Sequence, residues 1–286
     1  MLKRRLKIAG LITLCFICMS ASPIKKVAAS HTSKVDRHFH RDYYAHAFDS
    51  TGLCVCLPEL SDDALYNAPK VQLNKHVAGF VKDYLKVNSF HLQKMKPKSD
   101  YYFAIFDSVF SKYELPVELK YLAVIESKLN PTIFSKAGAA GLWQLMPSAA
   151  RSFGLKVNGK TDERKNVYKS TVAAAKVLVY LNDRFRGDWL LTLAAYNCGP
   201  APVYAAIKKS GSRNFWALQQ YLPLESRKHV KKFISIHYFF EGHGSVTTMT
   251  KAETDAHVKA VAGFILQQEK VNKNDSTFAG TETVNL

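Results

Sequence analysis

From about Asn74 onward the apolar positions of the chain recur every three to four residues, the spacing that lines one face of an α-helix. Val77, Phe80, Val81, Tyr84 and Leu85 predict a first helix over 76–87, and Ser99-Asp100 caps a second that carries Tyr102, Phe103, Phe106, Val109 and Phe110. Pro116 suits the first turn of a third helix, and Pro147 opens a short one that Gly154 stops. Ser170-Thr171 starts a long Ala- and Val-rich helix that ends before Gly187. Asp188 caps the segment WLLTLAAYN, which Gly199-Pro200 terminates. Another helix runs through VYAAIKK to Gly211, and Glu225 begins ESRKHVKKFISIHYFFEG, closed by Gly242. Beyond Gly244 one helix is expected over Asp255 to Gln268, followed by a polar, disordered end. Alternating apolar and polar runs are nearly absent, so the fold class is all-α, with no internal repeat and no second domain.

One position breaks the pattern. In YLAVIESKLNP the apolar stripe reads Leu119, Leu122, Ala123, and its next step is Glu126. A carboxylate facing a core is costly unless it is paired or keeps its proton. Such a group suits general acid chemistry. A structural glutamate satisfied by backbone donors or an arginine fits the helix equally well.

Charge and cysteines bear on where the chain works. Lys3, Arg4, Arg5 and Lys7 precede an apolar stretch, Ile8 to Met19, too short for a membrane span. Residues 1–29 therefore read as a signal peptide, with an uncleaved N-terminal anchor as the alternative and lipidation at Cys18 disfavoured by the bulky Phe16 and Ile17 before it. Removing that segment lowers the net charge from +17 to +11, still strongly basic. A basic exported protein suits a polyanionic envelope target. Nucleic acid would suit the charge as well, but no nucleic-acid module is present and none is expected as partner. Cys54, Cys56 and Cys198 form no disulfide framework, and Cys198 reads as a small buried side chain. His38, His40, Cys54 and Cys56 lack zinc-type spacing, so no metal is expected. Residues 30–74 read as a linker or loosely packed arm, 75–242 as the main helical domain, and 243–286 as the C-terminal helix and tail.

Four blocks carry the chemistry: ESKLNP from Glu126 to Pro131, SKAGAAGLWQLMP from Ser135 to Pro147, AAYNCGP from Ala194 to Pro200, and LPLESRKHVKKF from Leu222 to Phe233. Gly138 and Gly141 permit strained turns and close approach of the backbone to a ligand. Trp143, Gln144 and Met146 offer an aromatic plane, an amide and a soft apolar contact for amino sugars, unless Trp143 is simply core. Tyr196 and Asn197 end a helix, and Asn tolerates the left-handed conformation; an ordinary helix end with a core tyrosine is the alternative. Taken in order, the blocks resemble the lytic transglycosylases that share a catalytic domain with soluble lytic transglycosylases and goose-type lysozyme. The spacer TDERKNVYKSTVAAAKVL looks most like the D-type membrane-bound members. The resemblance spans roughly 77–242.

It implies a lysozyme-like helical domain with a deep glycan-binding groove and no cofactor. It also implies that Glu126 is the single catalytic acid and base, that Ser135, Gln144 and Met146 line the groove, and that Tyr196 and Asn197 lie beside the glutamate, Tyr196 holding it. Ser127 then braces the helix. His229 stands where the family usually has a tyrosine approaching the glutamate; histidine donates a hydrogen bond but titrates near neutral pH. It would instead face outward if it shares the basic helix face of Lys228, Lys231 and Lys232. The implied partner is the glycan strand of peptidoglycan, met in the periplasm or cell envelope, with membrane association through the N-terminus. The implied reaction cuts the bond between N-acetylmuramic acid and N-acetylglucosamine without water, leaving 1,6-anhydromuramic ends. A hydrolytic muramidase on the same fold, with Asp162 or Glu163 as a second carboxylate, and a non-catalytic wall-binding protein are the alternatives.

Overall fold

A computed structural model describes residues 69–279 of the chain. The expected signal or anchor, most of the arm, and His38, His40, Cys54 and Cys56 lie outside the described residues. Among these no strand forms, only isolated bridges such as Phe134 with Ala140 and Ala140 with Leu145, so the all-α expectation holds. No helix among them is long and apolar enough to cross a membrane.

Helix α1 runs Lys75–Lys112 without a break, where the sequence pattern suggests two helices. The buried stripe continues through Leu92, with Met95 packed against the core, and bridges the gap. Pro97 lies inside α1, and Ser99 donates its hydroxyl to Lys96 O rather than capping a new helix. A helix-interior proline costs about 3 kcal/mol, an amount that burying one or two large apolar side chains at about 1.5–3 kcal/mol each offsets. Just before α1, Val71 is buried and its carbonyl accepts from Gly244 N.

A 3-10 turn, Val117–Lys120, leads into the short α2, Tyr121–Ser127. Helix α3 is Pro147–Ser152. Helix α4, Val167–Arg184, opens a turn earlier than Ser170 because the Asn166 side chain accepts from Lys169 N. Helix α5, Trp189–Cys198, is capped by Asp188 and is buried continuously from Trp189 to Ala195. It packs against α4, against α6 (Pro200–Ser210), and against α8 (Leu224–Glu241). Between the last two lies the single-turn α7, Phe215–Leu218, which the pattern does not announce. Helix α8 also lies on α1 and α2. An apolar helix packed among other helices is what the WLLTLAA run, apolar but for Thr192, dictates.

Helix α9 spans Lys251–Ala279, longer at both ends than the expected 255–268. Its start is set by a reciprocal cap: the Glu253 carboxylate accepts from Thr250 N and Oγ1, while Glu253 N donates to Thr250 Oγ1. Asp188 reaches the same end, with Oδ2 accepting from Lys251 N at 3.1 Å. Its other oxygen accepts from Leu191 N at 3.0 Å, so one buried carboxylate caps α5 and α9 together. Burial pushes the Asp188 carboxyl above its ordinary range, and the backbone donors oppose that rise.

Candidate active site

Helix α2 ends directly after the glutamate. Lys128 and Leu129 both take left-handed backbone angles, φ 52° and 57°, a conformation that costs an L-residue roughly 1–2 kcal/mol. Leu129 recovers it by complete burial. Ser127 is buried and donates to Ala123 O at 2.9 Å, bracing the last turn. The Glu126 side chain is only partly buried, with 15% of its surface exposed. Its carboxylate is thus neither sealed in the core nor freely solvated.

Its hydrogen-bond partner comes from α8. His229 Nε2 lies 2.8 Å from Glu126 Oε1, and the histidine is 5% exposed. The outward-facing alternative for His229 is thereby excluded. The other ring nitrogen, Nδ1, is buried with no hydrogen-bond partner among the described residues. Ser226, one turn before His229 on the same face, donates to Asn197 Oδ1 at 2.7 Å and fixes that amide. Sequence reasoning passed over Ser226, although its place in the fourth block, three residues ahead of His229, carries the signal.

Tyr196 and Asn197 project from the last turn of α5. The residue that takes positive φ there is Gly199, and Asn197 remains helical. The Tyr196 hydroxyl donates to Trp143 O at 2.8 Å. The direct grip on Glu126 expected of this tyrosine is therefore not formed, because the Trp143 carbonyl takes its proton. Burial, then the nearby Glu126 charge, hold the phenol well above its ordinary range, so it stays a protonated donor. Cys198 is a free, half-buried thiol that donates to Ala194 O.

Ser135, Gln144 and Met146 share the loop between α2 and α3. Ser135 Oγ accepts from Ala139 N at 3.0 Å and closes the turn at Gly138. Gln144 takes φ 46° and returns its amide to Gly141 O at 2.9 Å, so its side chain is bound to its own loop. Met146 is exposed and stands immediately before α3. Trp143 is core rather than a sugar platform: it is fully buried against Phe106 and Phe110, and its indole N–H donates to Thr171 Oγ1 at 3.0 Å. No hydrogen bond joins Ser135 or Gln144 to Glu126 among the described residues; the Tyr196–Trp143 bond ties their loop to α5.

Arg164 holds that loop in shape, a role that no sequence signal announced. Its buried guanidinium donates to Gly138 O at 2.7 Å and Leu145 O at 2.9 Å, and forks onto both oxygens of Asp162. Gly141 packs on the same residue so tightly that a Cβ there would meet Arg164 O at 2.0 Å. The Arg164 hydrogen bond holds Asp162 below the usual carboxylate range. Glu163 bonds Lys169 Nζ and Lys156 N, which lower it likewise. Both candidates for a second catalytic carboxylate are thus committed to cations of their own segment. Among the described residues no cluster of His, Cys, Asp and Glu has the arrangement of a metal site.

Residues 107–219, which hold Glu126, the loop and α5, match the family model of the transglycosylase SLT domain. That stretch of the chain is similar to the transglycosylase SLT domain. It is 43% identical over 129 residues to membrane-bound lytic murein transglycosylase D of Escherichia coli strain K12, an alignment covering 44% of this chain and 28% of that protein. It is 40% identical over 82 residues to peptidoglycan transglycosylase gp16 of Escherichia phage T7, covering 28% of this chain and 6% of that one. Among solved structures, the 70-kDa soluble lytic transglycosylase of Escherichia coli matches with a TM-score of 0.45 and 26% identity, over 52% of this chain and 26% of that one. The chain thus spans little more than a quarter of the length of transglycosylase D. His229 and Ser226 fall outside the SLT match, yet α8 delivers both to the site.

Proposed function

We propose that this chain is a lytic transglycosylase that cuts the β-1,4 bond between N-acetylmuramic acid and N-acetylglucosamine in peptidoglycan strands, and that residues 75–242 are its catalytic domain. The observation that carries the reading is the state of Glu126: a partly buried carboxylate with one oxygen held by His229 and 15% of its side-chain surface exposed. The commitment of Asp162 and Glu163 to Arg164 and Lys169 supports a mechanism run by one carboxyl group rather than a pair.

Protonated Glu126 gives its proton to the glycosidic oxygen, and the C1–O bond breaks with the electron pair leaving on that oxygen. The N-acetyl group of the muramic residue steadies the cationic C1. Glu126, now a carboxylate, takes the proton of the same sugar's C6 hydroxyl as O6 bonds to C1. The products are a new N-acetylglucosamine hydroxyl end and a 1,6-anhydromuramic end, with Glu126 protonated again. Attack from within the same ring has a large entropic advantage over attack by water. Ser135, Gln144, Met146 and Asn197 serve as groove residues, and Tyr196 holds the groove wall through Trp143 O. No cofactor takes part. The basic composition suits the anionic wall, and the work place is the periplasm or cell envelope, reached through the N-terminal segment.

Replacing Glu126 with glutamine keeps shape but removes the exchangeable proton. One acid–base group is worth about 10²–10⁴ in rate, and both roles fall here on one residue. Release of anhydromuropeptides from purified sacculi should fall by at least the upper figure, with thermal stability and wall binding nearly unchanged. Wild-type release by that variant would remove Glu126 from the reaction.

A further inference from the structure

The pair of buried His229 and partly buried Glu126 contains more chemistry than one hydrogen bond. His229 is 5% exposed, its Nε2 lies 2.8 Å from Glu126 Oε1, and its Nδ1 is buried without a partner among the described residues. Resting on the reading of Glu126 as the acid and base, we propose that His229 is a positioning residue locked as the neutral Nε2–H tautomer, and that it confines the catalytic proton to Oε2 of Glu126.

Three states of the ring are available, and the geometry separates them. In the first, Nε2 carries the proton and donates to Oε1, while Nδ1 presents only a buried lone pair. That leaves no N–H unbonded. In the second, Nδ1 carries the proton and Nε2 accepts one from Glu126. This buries an N–H with no acceptor, and it draws the acid proton onto Oε1, away from the substrate. In the third, both nitrogens are protonated, which buries a charged N–H without a partner, the costliest of the arrangements.

The charges nearby reinforce this order. Glu126 on α2 attracts an imidazolium only while ionised, and the acid step requires it to be protonated. The charged ring would then have neither a counter-ion nor an acceptor for Nδ1. On α8 itself Arg227, Lys228 and Lys231 carry positive charge, and burial together with Arg227 already lowers Lys231. From α5 come Tyr196, which stays a neutral phenol, and Cys198, whose thiol burial pushes above its ordinary range.

The neutral Nε2–H serves both halves of the reaction unchanged. When Glu126 is the acid, Nε2–H donates to the carbonyl oxygen Oε1, and the proton sits on Oε2. When Glu126 is the base, the same N–H donates to the carboxylate, and the C6 proton returns to Oε2. His229 transfers no proton; it decides which oxygen does. Its ring stays aligned because α8 is packed on both α1 and α5, and Ser226 pins the next turn of that face to Asn197.

The test is nitrogen NMR of the full chain labelled with ¹⁵N-histidine, the His229 signals being assigned by their loss in His229→Gln. The expected spectrum shows a protonated Nε2 and a bare Nδ1, unchanged in Glu126→Gln, whose amide oxygen still accepts. A doubly protonated ring, or a protonated Nδ1, overturns the proposal. The rate measurement on sacculi is separate. His229→Leu should lower kcat by about 10- to 100-fold, the cost of misplacing a catalytic group, with KM within about twofold. His229→Gln, whose amide nitrogen reaches the same point, should recover most of that loss. Equal kcat in the leucine variant and the wild type overturns the positioning role, and if the leucine variant does not fold, the glutamine variant with wild-type rate and the spectrum decide. Absence of anhydro products from the wild type would refute the lytic reading alone, because the tautomer is read from the resting protein.

Discussion

Arg164→Met tests whether the loop that carries Ser135, Gln144 and Met146 is held by one guanidinium. The variant keeps an unbranched apolar stem but removes the donors to Gly138 O and Leu145 O and both bonds to Asp162. Breaking a buried ion pair by deleting one partner costs about 3–5 kcal/mol, because the other charge is left unpaired. Asp162 keeps 17% of its side-chain surface exposed, so water relieves part of that and the lower end applies. The two carbonyls each lose a charged donor, worth about 1.5–3 kcal/mol apiece, but bonds to one group are not additive. The expected loss is about 3–4 kcal/mol, measured by denaturant unfolding. At about 2–4 °C per kcal/mol for a domain of this size, the melting temperature should fall by roughly 6–16 °C. The acid limb gives a second check. Because the folded-state pKa of Asp162 is depressed, its contribution is present above the unfolded value of about 3.9 and disappears as pH falls through the folded one. Wild-type stability should therefore drop below about pH 4 more steeply than that of Arg164→Met. A loss under about 1 kcal/mol, with parallel acid limbs, would refute the argument.

Gly141→Ala should destabilise by about 2–4 kcal/mol in the same assay, since its Cβ meets the Arg164 carbonyl and the backbone sits at φ 80°; a neutral change would mean the loop moves freely there. Asp188→Ala removes the cap of two helices, at about 1–2 kcal/mol each, and amide exchange should rise at both Leu191 and Lys251; faster exchange at only one would separate the two ends. Tyr196→Phe should cost about 1 kcal/mol through the lost bond to Trp143 O, with a rate loss far smaller than that of Glu126→Gln; a comparable rate loss would mean the phenol meets the substrate or Glu126 during the reaction.

Much of the fold is legible because its signals are local. Asp188, Gly199, Gly211 and Gly242 stop or start helices by capping chemistry that depends only on neighbouring residues. The failures arise where distant packing decides. Pro97 marks a boundary locally, yet the continuing stripe through Leu92 and Met95 carries α1 past it. Trp143 reads as sugar platform or core alike within its block, and Phe106 and Phe110, more than thirty residues earlier, decide for core. Glu126 stands out because one carboxylate on an apolar stripe is visible in a single helix. The inward aim of His229 follows from the resemblance but not from the helix pattern alone, since Lys228, Lys231 and Lys232 make that helix look like a solvent face. The Tyr196 bond to a backbone carbonyl and the Arg164 clamp depend on atoms whose places the residue order does not reveal.

The most direct test of the account is wild-type digestion of purified sacculi in water enriched in ¹⁸O, with the released muropeptides weighed by mass spectrometry. If Glu126 drives closure of the sugar's own C6 oxygen onto C1, every new muramic end should be lighter than its reducing counterpart by one water and carry no heavy oxygen. Muramic ends that gain a full water containing ¹⁸O would show that water is the nucleophile, and would contradict the one-carboxylate, water-free cleavage proposed for this site.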